Sequence, residues 1–217
     1  SRIMSEIFIT GGTGYLGQRL IPELLARGHR VRALVRRGSE RKLPLGAEPV
    51  LGDALNGATF ADRIAPADTF VQLVGVPHPS PAKAAEFRAV DLVSAQQSIA
   101  AACDAGVRHF VYLSVAQPAP IMQDYVAVRA EGERLLRESR MHTTFVRPWY
   151  ILGPGHRWPY AILPFYWLAM ALPNSRDTAR RLYPVKLAAV VRAIAGAIDD
   201  PPAGVRVIEA EEMRGKS

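Results

Sequence analysis

Four glycines stand within seven positions of the segment EIFITGGTGYLGQRL, directly after a short apolar run. They fit two patterns equally, Gly12-x-Gly14-x-x-Gly17 and Gly11-x-x-Gly14-x-x-Gly17. Glycines at this spacing allow a tight turn, let the backbone approach a pyrophosphate, and let the following helix pack closely on the strand. The first turn of that helix offers N–H groups and a positive dipole end to phosphates. The pattern therefore predicts a turn that holds a dinucleotide.

The residues at the end of the second apolar run indicate which dinucleotide the turn would bind. Proteins that bind NAD in this way place an Asp or Glu about 20 residues after the glycines, on the ribose hydroxyls. Arg36 and Arg37 stand there instead. Because a guanidinium suits a phosphate dianion and stacks on adenine, the sequence favours NADP, with NAD as the alternative if both arginines are only solvated. Asp53 follows the third run. We expect it either to accept a hydrogen bond from the adenine amine or only to cap the helix that follows.

Strand-like runs alternate with helical segments along the first two thirds of the chain. This alternation predicts βαβ units and a Rossmann-type α/β fold with a doubly wound parallel sheet. We expect a single domain over residues 1–217, in which residues 148–185 form a small C-terminal lobe. The predicted strands are Ile7–Thr10, Val31–Val35, Pro49–Leu51, Thr69–Val74, Phe110–Leu113 and Thr144–Val146. The predicted helices are Gly14–Arg27, Asn56–Ile64, Ala82–Ala105 and Tyr125–Ser139.

Composition limits the class of protein. The chain has 217 residues, 49% of them hydrophobic, and a net charge of +7. The basic residues are spread along the sequence without a dense cluster among aromatics, so we expect no nucleic-acid partner. No apolar run reaches the roughly 18–20 residues of a membrane span, and no signal-peptide pattern opens the sequence, so we expect a cytoplasmic protein. The single cysteine, Cys103, excludes an intramolecular disulfide, argues against a cysteine metal site, and is expected to pack in the core.

Six motifs, TGGTGYLG, LVRR, GDAL, GVRHFVYLS, YVAVRAEGE and VRPWYILGPG, occur in this order between Ile7 and Glu209. In combination they resemble short-chain dehydrogenases/reductases of the extended and atypical kind, which include NAD-dependent epimerase/dehydratase-like members. The epimerase-like atypical members that the chain resembles include the NADPH-holding accessory subunit of respiratory complex I and the nitrogen-regulator-like sensors. The resemblance implies an NAD(P)-binding oxidoreductase or epimerase-like enzyme that acts on a small molecule.

The resemblance also implies catalytic positions. Members that transfer hydride use a Ser, a Tyr and a Lys, with the Tyr and Lys four positions apart on one helix face. Tyr125 matches the tyrosine acid/base, and Arg129 stands at the lysine position, where it would bind the ribose. Ser114 falls one position before the catalytic serine, which is replaced by Val115, so Ser114 is at most a helper. Asp91 replaces an Asn that is often found on the long helix.

This departure from the family pattern keeps two classes of function open. One is an NADP(H)-dependent oxidoreductase or epimerase-like enzyme. The other is a protein that binds NADP(H) without turnover, as a redox sensor or assembly factor. The residues that we expect to hold the cofactor, from the glycine turn and from the resemblance together, are Gly11, Thr13, Gly14, Tyr15, Leu16, Gly17, Arg36, Arg37, Asp53, Ala54, Val74, Gly75, Tyr125, Arg129, Pro148, Trp149 and Ile151.

An aromatic segment, WPYAILPFYWLAMALP, follows these motifs. As a lid it favours an apolar substrate, such as a quinone, an isoprenoid or another apolar carbonyl compound. It also suits contact with a membrane surface, a small hydrophobic core, or the contact of a homodimer; the chain is expected to be a monomer or a homodimer. The basic residues near this segment are Arg157, Arg176, Arg180 and Arg181.

Overall fold

Seven strands form one fully parallel sheet in the structure, a computed structural model that describes residues 4–75, 79–155 and 158–215. The order of the strands is β3-β2-β1-β4-β5-β6-β9, which confirms the predicted Rossmann-type fold. The strands are β1 (Glu6–Thr10), β2 (Arg30–Val35), β3 (Glu48–Leu51), β4 (Thr69–Gln72), β5 (His109–Leu113), β6 (His142–Arg147) and β9 (Val205–Glu209); β7 (Ile151–Leu152) and β8 (Val185–Lys186) pair separately.

Helices cover both faces of this sheet. A π-helical turn, Phe87–Leu92, joins two of the helices into one continuous helical segment. Short 3₁₀ turns lie at Glu40–Lys42, Gly57–Thr59, Ala61–Arg63, Pro81–Lys83 and Trp158–Ile162. The α-helices are α1 (Gly17–Ala26), α2 (Ala84–Glu86), α3 (Val93–Asp104), α4 (Gln123–Glu138), α5 (Leu163–Ala171), α6 (Arg176–Arg181), α7 (Leu187–Asp199) and α8 (Ala210–Gly215).

The alternation of side chains along β1 divides the core into two layers. Ile7 and Ile9 face α1 and α7, whereas Phe8 faces the layer that contains α3 and part of α4. The parallel register places Phe8 beside Phe70 and Phe70 beside Phe110. Their ring centroids are 5.3 and 5.0 Å apart. This aromatic row joins three central strands and holds their carboxyl ends at one edge.

The strand order reverses between β1 and β4, which are neighbours in the sheet although two strands separate them in sequence. The connections after these strands turn to opposite faces, so a crevice opens at their carboxyl ends. Residues 11–17 follow β1 and residues 73–75 follow β4. The glycine turn therefore lies at the position where doubly wound folds bind nucleotides.

Two expectations were wrong. Residues 56–64 do not form a helix but two 3₁₀ turns. The backbone N–H groups of Phe60 and Arg63 donate to the carbonyl oxygens three residues before them, Gly57 and Phe60, so the bonds are of the 3₁₀ type and no α-helical ladder forms. Cys103 is exposed rather than packed in the core, because α3 turns it away from its buried face.

Candidate functional site

The glycine turn is crowded by backbone atoms. Gly11 has φ +76°, and a Cβ there would lie 2.7 Å from the carbonyl carbon of Leu73. A Cβ on Gly17 would lie 2.5 Å from the carbonyl oxygen of Gly12. Both distances are shorter than real side chains tolerate, so these positions need glycine. The turn thus offers a cradle of bare backbone at the crevice, which fits a dinucleotide pyrophosphate.

Gly17→Ala is expected to destabilise the chain by about 1–3 kcal/mol, since the new methyl group must push helix α1 away from the turn. Gly196→Ala is the matched control, because a Cβ at this position of α7 would have no atom within 4 Å apart from its chain neighbours and the backbone of its own helix. Alanine is the better helix former, so the control should be neutral or stabilising. Urea denaturation of both variants measures the difference. Equal stabilities of the two variants would contradict the close helix–turn contact.

The phosphate side of the crevice is basic and open. Among the described residues, no side chain caps the amino end of α1 at Leu16, and the Gln18 and Arg19 N–H groups donate to the carbonyl oxygens of Gly14 and Leu16 at 3.0 and 3.1 Å. Arg36 and Arg37 directly follow β2 and are exposed. Neither forms an ion pair within the described part of the chain. Asp53 Oδ1 accepts the Leu55 N–H at 2.9 Å, so this carboxylate also caps its own turn.

Arg129 is buried at the base of the crevice, with 3% of its surface exposed. Its guanidinium donates to Asp91 Oδ1 and to the Leu113 carbonyl, each at 2.6 Å. It lies 5.9 Å from the ring centroid of Tyr112 and 5.2 Å from that of Tyr125. Burial opposes the charge of Arg129, but the two tyrosines and Asp91 outweigh it and raise its pKa. Arg129 is therefore a fixed cation beneath Tyr125.

Asp91 is supplied by the π-helical turn, a type of distortion that is frequent at functional sites. A Cβ on Gly75 would lie 2.4 Å from the Arg129 guanidinium and 3.2 Å from Asp91. The bare backbone after β4 thus covers this ion pair. Gly75 and Arg129, both predicted cofactor residues, contact each other in the structure.

Tyr112 has a structural role that was not predicted from the sequence. Its side chain is fully buried, and its hydroxyl rests against Gly132 of α4, where a Cβ would lie 2.3 Å away. Burial raises the pKa of Tyr112 to about 12, although Arg129 opposes the shift. Tyr112 therefore stays neutral over the ordinary pH range. Gly132, the glycine of the motif YVAVRAEGE, is the one local feature of the sequence that indicates close approach of another side chain to α4.

Ser114 has a buried partner outside the crevice. Its hydroxyl donates to Glu133 Oε1 at 2.6 Å, and its exposure is 2%. Glu133 also accepts bonds from Gln117 at 3.0 Å and from Arg147 at 2.8 and 2.5 Å. Val115 is buried as well, at 1%. Ser114, which follows β5, is thus linked to α4 through Glu133 and to β6 through Glu133 and Arg147. Its hydroxyl already has a hydrogen-bond partner.

Beside the crevice lies an aromatic pocket of about 450 Å³. Trp149 and Tyr150 pack edge-to-face at 5.9 Å, and Tyr150 packs against Trp158 at 5.0 Å. The indole N–H of Trp149 is buried and has no hydrogen-bond acceptor among the described residues. An acceptor oxygen on a ligand would satisfy this donor. The pocket, here named the aromatic pocket, is lined by Tyr15, Pro79, Met122, Tyr125, Trp149, Tyr150, Ile151, Trp158 and Pro159.

The structure brings four predicted site residues together at this pocket: Tyr15, Tyr125, Trp149 and Ile151. Arg36, Arg37 and Asp53 are not among the residues that line this pocket; they follow strands β2 and β3. The other predicted cofactor residues lie along the same edge of the sheet, with Thr13, Gly14 and Leu16 in the glycine turn, Ala54 after β3, Val74 after β4 and Pro148 after β6.

The described residues, 4–75, 79–155 and 158–215, contain neither a candidate metal site nor a helix that could span a membrane. No group of three or more His, Cys, Asp or Glu side chains there could hold a metal ion. No helix within those ranges is long and apolar enough to cross a bilayer.

Comparison with known proteins agrees with this geometry. A family model described as NAD(P)H-binding matches residues 11–160. The 4-hydroxy-2-methyl-3-oxo-4-farnesyl-3,4-dihydroquinoline-1-oxide ketoreductase of Stigmatella aurantiaca is 32% identical over 67% of this chain and 50% of its own length. The ceramide reductase of Caulobacter vibrioides is 32% identical over 80% of this chain and 55% of its own. The chain thus spans about half the length of these curated relatives.

Solved structures support the same assignment of the fold. A short-chain dehydrogenase/reductase superfamily protein from Agrobacterium tumefaciens, solved with bound NAD, superposes with a TM-score of 0.68 at 19% identity, covering 94% of this chain and 77% of that one. The match over residues 11–160 shows that the chain belongs to the NAD(P)H-binding family, and the glycine cradle and the sheet order agree with this.

Proposed function

We propose that this chain is part of an NADP(H)-dependent reductase that acts on a carbonyl group of a lipophilic small molecule, such as a quinone-like or isoprenoid compound. One observation carries the proposal: Tyr125, the expected proton donor, lines a pocket of about 450 Å³ whose other walls are aromatic or apolar. Tyr15 of the glycine turn reaches the same pocket. The names of the two curated relatives, both reductases of lipophilic compounds, support the choice of substrate class.

The residues of the chain have distinct roles in this proposal. NADPH, when bound, supplies the hydride that adds to the carbonyl carbon. Tyr125 donates its phenolic proton to the carbonyl oxygen, so that the product is an alcohol. The fixed charge of Arg129, 5.2 Å from the ring centroid, stabilises the negative charge left on the phenol oxygen. The apolar walls exclude water from the reacting atoms.

The activity test is NADPH oxidation with a farnesylated quinoline ketone and with an oxo-ceramide, using glyceraldehyde as a small polar control. We expect turnover with the lipophilic ketones and little with glyceraldehyde, because the pocket buries apolar surface and offers few polar groups. Preference for glyceraldehyde would contradict the assigned substrate class.

NADP is the proposed cofactor form because Arg36 and Arg37 are exposed and available after β2. Calorimetric titration should give tighter binding of NADPH than of NADH. The double variant Arg36→Ser/Arg37→Ser should lose about 10- to 100-fold in NADPH affinity, as expected for two charge-assisted contacts to a phosphate. Its affinity for NADH should be unchanged, which serves as the internal control. Equal losses for both cofactors would argue against a phosphate clamp.

A second candidate function is a protein that binds NADP(H) without turnover. The observation that favours it is that two groups of the expected triad already have buried partners, Arg129 with Asp91 and Ser114 with Glu133. Such a protein would bind NADPH in the titration and oxidise none of it with any of the ketones. The same pair of measurements therefore separates the two candidates.

A further inference from the structure

Helix α5 presents an apolar stripe to the outside of the molecule. No residue of this helix is buried. In its sequence, LPFYWLAMA, the only polar side-chain groups are the hydroxyl of Tyr166 and the indole N–H of Trp167. Phe165, Leu168 and Leu172 are 71%, 64% and 53% exposed. At helical spacing they share one face. We define the apolar stripe as Pro164, Phe165, Leu168, Ala171 and Leu172, which are all exposed.

The other side of α5 is attached to the protein. Tyr166 packs edge-to-face on Tyr183 at 5.6 Å, and the Trp167 indole N–H donates to the Tyr183 hydroxyl at 3.1 Å. These contacts fix which way the helix faces. The apolar stripe is therefore a defined outer surface, and exposing it to water is unfavourable.

Basic residues outnumber acidic ones in the segment that contains this stripe. Residues 158–186 contain four basic side chains, Arg176, Arg180, Arg181 and Lys186, and a single acidic one, Asp177. Arg176 Nε donates to the Met170 carbonyl at 3.1 Å, which holds its charge against the end of α5. Arg157, which the sequence analysis placed with these cations, lies outside the described residues. An apolar helix bordered by cations is complementary to a surface that is apolar within and anionic at its boundary.

We infer that the apolar stripe docks this protein on an anionic lipid membrane surface, with α5 lying in the plane of the interface. Nine residues of helix span about 14 Å, against a hydrocarbon core of about 30 Å, so α5 lies on the membrane rather than across it. Trp158, which is 58% exposed, lines the aromatic pocket and begins the 3₁₀ turn that leads into α5. Trp158 thus connects the aromatic pocket to the segment that carries the apolar stripe. Delivery of a lipophilic substrate from the membrane rests on the proposed function, whereas docking itself does not.

The experiment is co-sedimentation of the protein with phosphatidylglycerol/phosphatidylcholine vesicles, compared with phosphatidylcholine vesicles. No cofactor or turnover is required, so the result is independent of the proposed activity. The double variant Phe165→Ser/Leu168→Ser should bind about 10- to 100-fold more weakly. Leu45→Ser is the matched control, because Leu45 is 98% exposed and lies before β3, at the opposite edge of the sheet. This control should bind as the unmodified chain does.

A second pair of variants tests the charge. Arg176→Gln/Arg180→Gln should weaken binding to the anionic vesicles by about tenfold and reduce its dependence on salt. Sedimentation velocity of each variant, together with circular dichroism, reports association and folding. The inference is overturned if the unmodified chain stays in the supernatant with anionic vesicles, or if the Phe165/Leu168 variant binds as well as the control. It is also overturned if the stripe variant converts a vesicle-free dimer into a monomer, because a second copy then covers the stripe.

Discussion

Tyr125→Phe is expected to lower turnover of a lipophilic ketone by about 10²- to 10⁴-fold while NADPH still binds with unchanged affinity. The substitution keeps the ring that packs on Phe87 at 5.0 Å and above Arg129, and it removes the phenolic proton. Since the proposed chemistry needs that proton at the carbonyl oxygen, the loss should appear in kcat rather than in cofactor binding.

Steady-state NADPH oxidation and calorimetric titration measure the two parts of this prediction. Tyr183→Phe provides a control, because Tyr183 lies outside the pocket lining and loses a hydroxyl of the same kind. Undiminished turnover in Tyr125→Phe would show that another group donates the proton. Tyr112 would be a poor replacement, since its hydroxyl is buried against Gly132.

Breaking the buried ion pair should have the largest effect on stability. Asp91→Leu is expected to cost about 3–5 kcal/mol, because it leaves the Arg129 charge buried without its carboxylate. The two groups are 0% and 3% exposed, so solvent screens them little. The double variant Asp91→Leu/Arg129→Met should recover most of that loss, since replacing both charges removes the unpaired cation.

Urea denaturation of the two single variants and the double variant completes a thermodynamic cycle. Glu131→Gln serves as the control, because the Glu131–Arg134 pair on the same helix is solvent-exposed and should change stability little. A double variant as unstable as Asp91→Leu alone would mean that packing, rather than charge, accounts for the loss. NADPH titration of the double variant then measures whether the buried cation matters for cofactor binding as well.

The Asp91–Arg129 ion pair is also relevant to position 129, where the family pattern described above has a lysine. Arg129 donates to the Leu113 carbonyl and to Asp91, and these bonds hold the guanidinium in a fixed orientation. A lysine has one compact ammonium group and could not make both contacts with the same geometry. Arginine at this position is thus matched to the aspartate at position 91 and to the bare backbone at Gly75.

Local sequence was enough to predict much of the fold. The glycine turn, the strands and the dinucleotide crevice depend on residue spacing and on the alternation of apolar runs with helical segments, both of which are short-range patterns. The prediction was wrong at residues 56–64, where the backbone hydrogen bonds join residues three positions apart and the distant Gln97 accepts the Gly57 N–H. It was also wrong at Cys103, whose exposure depends on how α3 is turned against the sheet.

The pairings within the site depended on the tertiary structure. Asp91 and Arg129 are 38 residues apart, and Ser114 and Glu133 are 19 apart. Each pair forms because sheet register and helix packing bring two elements to the same depth, which no local pattern specifies. The sequence by itself therefore determined a parallel sheet with, at the carboxyl end of its first strand, a glycine turn of the kind that holds a nucleotide. Only the folded chain decided which charges are buried there, because burial and pairing are properties of elements packed against each other.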